Sequence, residues 1–259
     1  MPHLDHKALA PQRWDHLRAL IRDNGIIRVE DLCRRLKVSP ATVRRDLDQL
    51  EQGGVIRRVH GGAVSVESRL DEPVFADKTS LAAREKRRIA EAALRFIEPD
   101  DTIYLDGGST VLELARLLRD RTNLTVVTNS LYAAQELAGR GPRLLVIGGE
   151  LRRLSQTMVG PLTGHVLAEL HLDTAFMGTI GLALDEGLTT TDPSEAFTKK
   201  LVMGQARQVI VLADSSKAGK VSFASAGGWE NVHVLITDQQ LDKHFSKELN
   251  KKNIKVVRS

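Results

Sequence analysis

The sequence predicts a two-part α/β protein, in which a small three-helix module with a two-stranded wing precedes a larger domain built on a mostly parallel, helix-covered sheet. Three observations predict it. Apolar residues recur at helical spacing as far as Leu50, two short apolar runs bracketing cations follow, and beyond Asp100 aliphatic runs alternate with helical patterns. At 259 residues, with 42% hydrophobic and 27% charged, the chain has room for a small domain plus a medium one.

Between Gln12 and Asn24, Trp14, Leu17, Leu20 and Ile21 share one helix face, and Gly25 supplies a stop. After a short extended piece, Ile26 to Arg28, the residues Val29, Leu32, Cys33 and Leu36 mark a second helix ending near Lys37. A third begins at Ser39-Pro40, a capping hydroxyl before a proline whose missing N–H costs nothing at the first helical position. Val43, Leu47 and Leu50 form its buried stripe, and Gly53-Gly54 ends it. Two helices joined by Lys37 to Ser39 make a helix-turn-helix pattern. With the stripe inward, Ala41, Arg45, Asp48 and Gln49 turn outward and Thr42 and Arg44 flank them. Such a face fits a major groove, where Arg pairs with guanine and Gln with adenine. An ordinary amphipathic helix with solvated arginines is the competing reading.

From Val55 to Val64 two apolar runs bracket Arg57, Arg58 and His60 and then Gly61-Gly62, which reads as a basic wing able to touch phosphate or a minor groove. Three helices plus this wing make a winged helix-turn-helix, with Ser39, Ala41, Thr42, Arg44, Arg45, Gln49, Arg57, Arg58 and His60 as candidate contacts to double-stranded DNA. Charge agrees: residues 1–62 hold 12 Lys and Arg against 8 Asp and Glu, the remainder 25 against 25, so the net +4 lies wholly in the first quarter.

Residues 1–11 read as a tail, 12–64 as the winged module, 65–79 as a polar linker carrying Pro73 without periodicity, and 80–259 as the second domain. Thr79 or Ser80 caps a helix through Ile97, closed by Pro99, whose Arg84, Lys86, Arg87 and Arg88 read as a solvated face, with contact to DNA or an effector as the alternative. Strands are expected at Thr102 to Leu105, Leu124 to Thr128, Arg143 to Ile147, Asp173 to Met177, Val209 to Ala213 and Val232 to Thr237.

In such sheets ligands bind beyond the carboxyl ends of strands, so the residues after each strand decide function. Asp106-Gly107-Gly108-Ser109-Thr110 runs into a helix, and paired glycines, hydroxyls and free helix N–H groups suit a phosphate. Thr128-Asn129-Ser130 and Gly148-Gly149 follow the next two strands, each of which could equally be a tight turn or a cap. Asp192-Pro193-Ser194-Glu195 leads a helix bearing Lys199 and Lys200, and Asp214-Ser215-Ser216-Lys217 ends the fifth strand. There is no Walker loop and no dinucleotide fingerprint.

The run Val38-Ser39-Pro40-Ala41-Thr42-Val43-Arg44-Arg45-Asp46-Leu47, with Leu50-Glu51 and Arg58-Val59-His60-Gly61-Gly62-Ala63, resembles the N-terminal signature of the DeoR family of bacterial transcription regulators. The later motifs resemble that family's effector domain. The resemblance implies a fold related to ribose-5-phosphate isomerases and coenzyme A transferases and a site for a sugar phosphate or similar metabolite. It assigns the effector site to Asp106, Gly107, Gly108, Ser109, Thr110, Thr128, Asn129, Gly148, Gly149, Glu195, Lys199, Asp214 and Lys217. Two departures bear on the ligand: Ala218 stands where the family often has an aromatic residue, and Gly181-Leu182-Ala183 is more apolar than usual.

The expected function is a DNA-binding regulator, a repressor of a carbohydrate catabolism operon relieved by a phosphorylated sugar or sugar acid, acting without enzymatic activity as a homo-oligomer, dimer or tetramer, on paired half-sites. An active sugar-phosphate isomerase, with Glu195 or Asp106 as base and Lys217 stabilising negative charge, is the alternative, and a scaffold with a vestigial pocket the third. No cofactor and no metal are expected, since no Cys/His cluster has ligand spacing. Cys33, the single cysteine, reads as a small buried hydrophobe. Apolar runs such as Leu144 to Ile147 are too short to cross a bilayer, and residues 1–11 lack a signal-peptide core, which points to the cytoplasm.

Overall fold

The computed structural model describes residues 13–14, 16–17, 20–21, 26–52, 56–59, 62–65, 72, 75–139 and 141–259. The chain divides into two compact units, Met1–Asp71 and Glu72–Ser259.

In the first unit, helical residues Arg13, Trp14, His16, Leu17, Leu20 and Ile21 precede strand β1 (Ile26–Arg28), the helices Val29–Leu36 and Pro40–Gln52, and strands β2 (Ile56–Val59) and β3 (Gly62–Ser65). Lys37 adopts a left-handed conformation (φ 55°) that ends the first of these helices. The Ser39 hydroxyl accepts from Thr42 N at 3.2 Å and so caps the second. Leu17, Ile21, Leu32, Val43, Leu47 and Leu50 are buried together, while Trp14, Leu20 and Cys33 pack against them half-buried. The short extended piece joins the wing: the antiparallel order is β1-β3-β2, three strands where two were expected.

The second unit holds β4 (Thr102–Leu105), β5 (Thr125–Thr128), β6 (Arg143–Val146), β9 (Leu172–Met177), β12 (Ala206–Leu212), β14 (Val234–Thr237) and β15 (Lys255–Arg258) in one sheet. Its order is β15-β14-β12-β9-β4-β5-β6, and every pairing is parallel. Alternate residues bury on opposite faces, as the strand pleat requires. Tyr104, Ala175, Met177, Val209 and Val211 meet the helices Pro161–Ala168, Pro193–Gln205 and Lys243–Lys251 on one face. Ile103, Leu105, Phe176, Ile210 and Leu212 meet the helices Ala83–Ala93, Ser109–Leu117 and Leu131–Leu137 on the other. The six expected strands all form, and β15 adds a seventh. Two further elements lie outside the sheet: the hairpin β7 (Glu150–Arg152) with β8 (Thr157–Val159), and the antiparallel set β10 (Gly181–Ala183), β11 (Gly187–Thr190) and β13 (Ala224–Gly227).

Part of the segment expected as a linker belongs to the second unit. Glu72 lies in it, and so does the helix Phe75–Ser80, whose Phe75 ring stacks on Tyr132 at 4.3 Å between centroids. Local periodicity could not reveal this, because two of Glu72's three partners, Arg152 and Thr191, lie 80 and 119 residues away. Among the described residues no helix is long and apolar enough to cross a membrane.

Candidate effector site and nucleic-acid face

Strand order fixes where a ligand can sit. From β4 the chain steps outward through β5 and β6, then returns to place β9 on the other side of β4 and continues through β12, β14 and β15. The direction reverses between β4 and β9, and beyond the carboxyl ends of strands at such a reversal a crevice opens. A cavity of about 90 Å3 lies there. Gly107, Gly108, Ser109 and Thr110 line it after β4, Gly178, Thr179 and Ile180 after β9, and Ala213, Asp214, Ser216 and Lys217 after β12.

Gly108 precedes the helix Ser109–Leu117 at φ 127°, a conformation costly for any residue with a Cβ, and no side chain caps that helix. Its first N–H groups are therefore available to an anion. Asp106, the residue after β4, is turned into the protein: its Oδ2 accepts from Gly178 N at 2.9 Å and from Lys199 Nζ. Lys199 also donates to Gly178 O at 3.0 Å and stands 3.5 Å from Glu195 Oε1. Burial works against the Lys199 charge, but Asp106 and Glu195 outweigh it and hold the ammonium above its ordinary value. Burial pushes the Glu195 carboxyl up, reinforced by Glu72 and Asp106 and only partly offset by Lys199 and Arg152. Asp214 accepts from Ser216 N at 3.1 Å and from the Ser216 hydroxyl, which shapes the turn that presents Lys217. The Lys217 ammonium makes no hydrogen bond or ion pair among the described residues, and burial lowers its pKa.

Of the thirteen effector candidates, eight line this cavity: Gly107, Gly108, Ser109, Thr110, Glu195, Lys199, Asp214 and Lys217. Asp106 acts on it through Lys199 and Gly178. Thr128, Asn129, Gly148 and Gly149 do not line it. Thr128 Oγ1 donates to Leu105 O at 2.6 Å, and Asn129 Nδ2 donates to Met158 O at 2.8 Å, binding the hairpin to the end of β5. Gly148 O accepts from Thr163, and Gly149 sits at φ 158° at the start of the hairpin. β5 and β6 stand one and two places away from the reversal, which is why equivalent-looking turns serve packing there.

Several cavity residues were not assigned to it from sequence: Glu72, Lys78, Lys86, Gly178 and Thr179 all line it. Lys86, read above as part of a solvated face, is buried, and its ammonium donates to the carbonyls of Lys78 and Leu81. The readable signal was its position: Lys86, Ile89, Ala90 and Ala93 form the buried stripe of their helix, so a lysine stood in an apolar stripe.

On the first unit, Ser39, Ala41, Arg44, Arg45 and Gln49 are exposed and Thr42 half-buried, its hydroxyl 2.9 Å from that of Ser39. On the same helix Asp46 is buried, accepting from Arg13 Nε at 2.5 Å and Nη2 at 3.0 Å and from Trp14 Nε1 at 2.9 Å. Arg57 and Arg58 lie on β2, with side chains outside the described set, and His60 lies outside the described residues.

The DeoR-like helix-turn-helix domain matches residues 13–69 and the DeoR C-terminal sensor domain matches residues 81–239. Over 240 residues the chain is 38% identical to the lactose phosphotransferase system repressor of Streptococcus mutans, covering 91% of this chain and 95% of that protein. It is 36% identical to the HTH-type transcriptional regulator GolR of Listeria innocua, covering 92% of this chain and 94% of that one. Among solved structures, ribose 5-phosphate isomerase A from Methanocaldococcus jannaschii is 21% identical over 51% of this chain and 53% of that chain, with a TM-score of 0.38. The two matches together span most of the chain, a helix-turn-helix domain followed by a sensor domain, and the chain belongs to the DeoR family of DNA-binding transcriptional regulators.

Proposed function

We propose that this regulator represses an operon for carbohydrate catabolism and is released when a phosphorylated sugar or sugar acid occupies the cavity at the β4–β9 reversal. The observation that carries the reading is that the Lys217 ammonium, without a partner among the described residues, and the uncapped start of the helix Ser109–Leu117 line the same cavity. A phosphate satisfies both. Ser109 and Thr110 then contact the phosphate, and Glu195, Lys199 and Asp214 face the sugar hydroxyls. The printed names of relatives, a lactose phosphotransferase system repressor and a putative aga operon transcriptional repressor, support the carbohydrate link.

In the same reading residues 12–64 grip the operator through Ser39, Ala41, Thr42, Arg44, Arg45, Gln49, Arg57, Arg58 and His60, and the chain from Glu72 onward senses. The protein acts in the cytoplasm as a homo-oligomer on paired half-sites. Exposed Leu162, Val166 and Phe197 supply apolar surface for self-association. In this reading the sensor is not an enzyme: Asp106 Oδ2 is engaged by Lys199 and Gly178 N, which ties one of the two carboxylates an isomerase would draw on into the packing.

Heating the full chain with a panel of pentose and hexose phosphates tests this. One of them is expected to raise the unfolding temperature, by about 2.7 kcal/mol of added stability at a hundred times its Kd, and to change operator affinity without being converted. Turnover of the protecting sugar would instead establish the isomerase, and protection by none would leave the cavity without a ligand role.

A further inference from the structure

We propose that Glu72, which lines the sensor cavity, is a tethered occupant of a second anion subsite beside it, formed by Arg152, Lys78 and Thr191, and that a ligand carrying a carboxylate as well as a phosphate displaces it. The proposal rests on the reading of the cavity as a phosphate site and adds the second functional group of the ligand.

Glu72 is the first residue of the sensor unit, and its side chain is 1% exposed. One carboxylate collects donors from three separate elements: Arg152 Nη2 of β7 at 2.6 Å, Lys78 Nζ of the helix Phe75–Ser80, and the hydroxyl of Thr191 just before the helix Pro193–Gln205. Arg152 Nη2 also donates to Thr191 at 3.0 Å, which fixes the receptor independently of its occupant. An arginine, a lysine and a hydroxyl converging on two oxygens make a carboxylate receptor.

Arg152 is also ion-paired to a cavity residue: its Nη1 and Glu195 Oε2, both buried, lie 3.2 Å apart without hydrogen-bond geometry. An ion pair of that kind leaves both groups able to take a further bond from a ligand or water. Glu72, Lys78 and Glu195 line the same cavity as Ser109 and Lys217, so one small molecule can reach both ends. Burial opposes the Glu72 charge, but Arg152, Lys78 and Thr191 outweigh it and hold the carboxyl down at about 2, so the occupant is an anion at neutral pH.

A tethered occupant competes at an effective concentration in the millimolar range, which a free ligand must exceed. Displacement has a structural consequence: it frees the residue through which the sensor continues into 65–71 and the winged module. Ligand binding and tether release are then one event, and the coupling is reciprocal.

Glycerol 3-phosphate and 3-phosphoglycerate share three carbons and differ in one carboxylate, so calorimetric titration of both into the full chain isolates the subsite. In Glu72→Ala the ratio of affinities, 3-phosphoglycerate over glycerol 3-phosphate, is expected to rise about tenfold above that of the unaltered protein as the millimolar competitor is lost. Glu72→Gln, which keeps the shape, is expected to show a smaller rise. Asp192→Asn also removes a carboxylate near Arg152, at 3.5 Å, but one that does not fill the receptor, and should leave the ratio unchanged. A ratio unmoved in Glu72→Ala, or moved equally by Asp192→Asn, overturns the displacement while leaving the phosphate site standing. Binding of neither probe to any of these proteins overturns the phosphate site and the proposal with it.

Discussion

Lys199 and Asp106 are bonded to each other across the strand reversal, one from the helix Pro193–Gln205 and the other from the end of β4, with each side chain 3% exposed. Removing one member leaves the other charge buried without its counterion, which costs about 3–5 kcal/mol. Lys199→Met is expected to destabilise the sensor unit by that amount in urea unfolding, and adding Asp106→Asn should cost less than the sum of the two changes. A loss below about 1 kcal/mol would mean that the pair behaves like a solvated one.

Stability should depend on pH through Glu72 and Lys199 with opposite signs. Glu72 is lowered from 4.5 to about 2, because Arg152 and Lys78 outweigh the effect of burial, so its contribution is complete above 4.5 and drains away as the pH falls towards 2. The stability gap between the unaltered protein and Glu72→Gln is expected to be about 3 kcal/mol near neutrality and to shrink through that window. Lys199 is raised, so its contribution is present at and below 10.5 and is lost as the pH climbs through its folded value. Denaturant midpoints measured at stepped pH report both; a gap that widens in acid contradicts the Glu72 assignment.

Arg45 is exposed on the helix Pro40–Gln52, whereas Arg58 lies on β2 of the wing. Arg45→Ala should lose about 1–3 kcal/mol of specific binding and relax base preference. Arg58→Ala should weaken binding to all duplexes and reduce the salt slope by about 1. Titrations at several salt concentrations with matched and scrambled duplexes separate the two, and equal losses on both duplexes for Arg45→Ala would remove that residue from the groove.

Gly178 leaves no room for a side chain: a Cβ there would stand 2.6 Å from Gly107 O. Gly178→Ala must push apart the ends of β4 and β9, and its expected effect is loss of effector binding out of proportion to loss of stability. Ligand titration beside thermal unfolding tests this, and unchanged affinity would show that the two turns move freely.

Much of this architecture was legible in the sequence, and what was missed has physical reasons. Val43, Leu47 and Leu50 identify the buried side of Pro40–Gln52 because a regular helix turns spacing into direction. β15 escaped notice because Lys255-Val256-Val257-Arg258 offers only two apolar residues, and its strandedness comes from pairing with β14. The turn after β5 carries the same short polar residues as the turn after β4, yet only the latter lines the cavity, since sequence gives strand position along the chain but not across the sheet. Gly178-Thr179 carried a glycine–hydroxyl signal like that of Gly107 to Ser109 and was readable on the same grounds. Glu72 was not, because an isolated acid in an aperiodic stretch shows nothing of partners that arrive much later in the chain.

The pairing of β4 with β9 also sets an order of events during synthesis. Tyr104 lies opposite Ala175, so a central strand waits on the ribosome for a neighbour made some seventy residues later, whereas the core of the winged module, among the described residues, is drawn from positions up to Ala63. The head therefore completes its fold while the sheet is still unfinished, and for that interval the growing chain carries a folded winged module without a folded sensor.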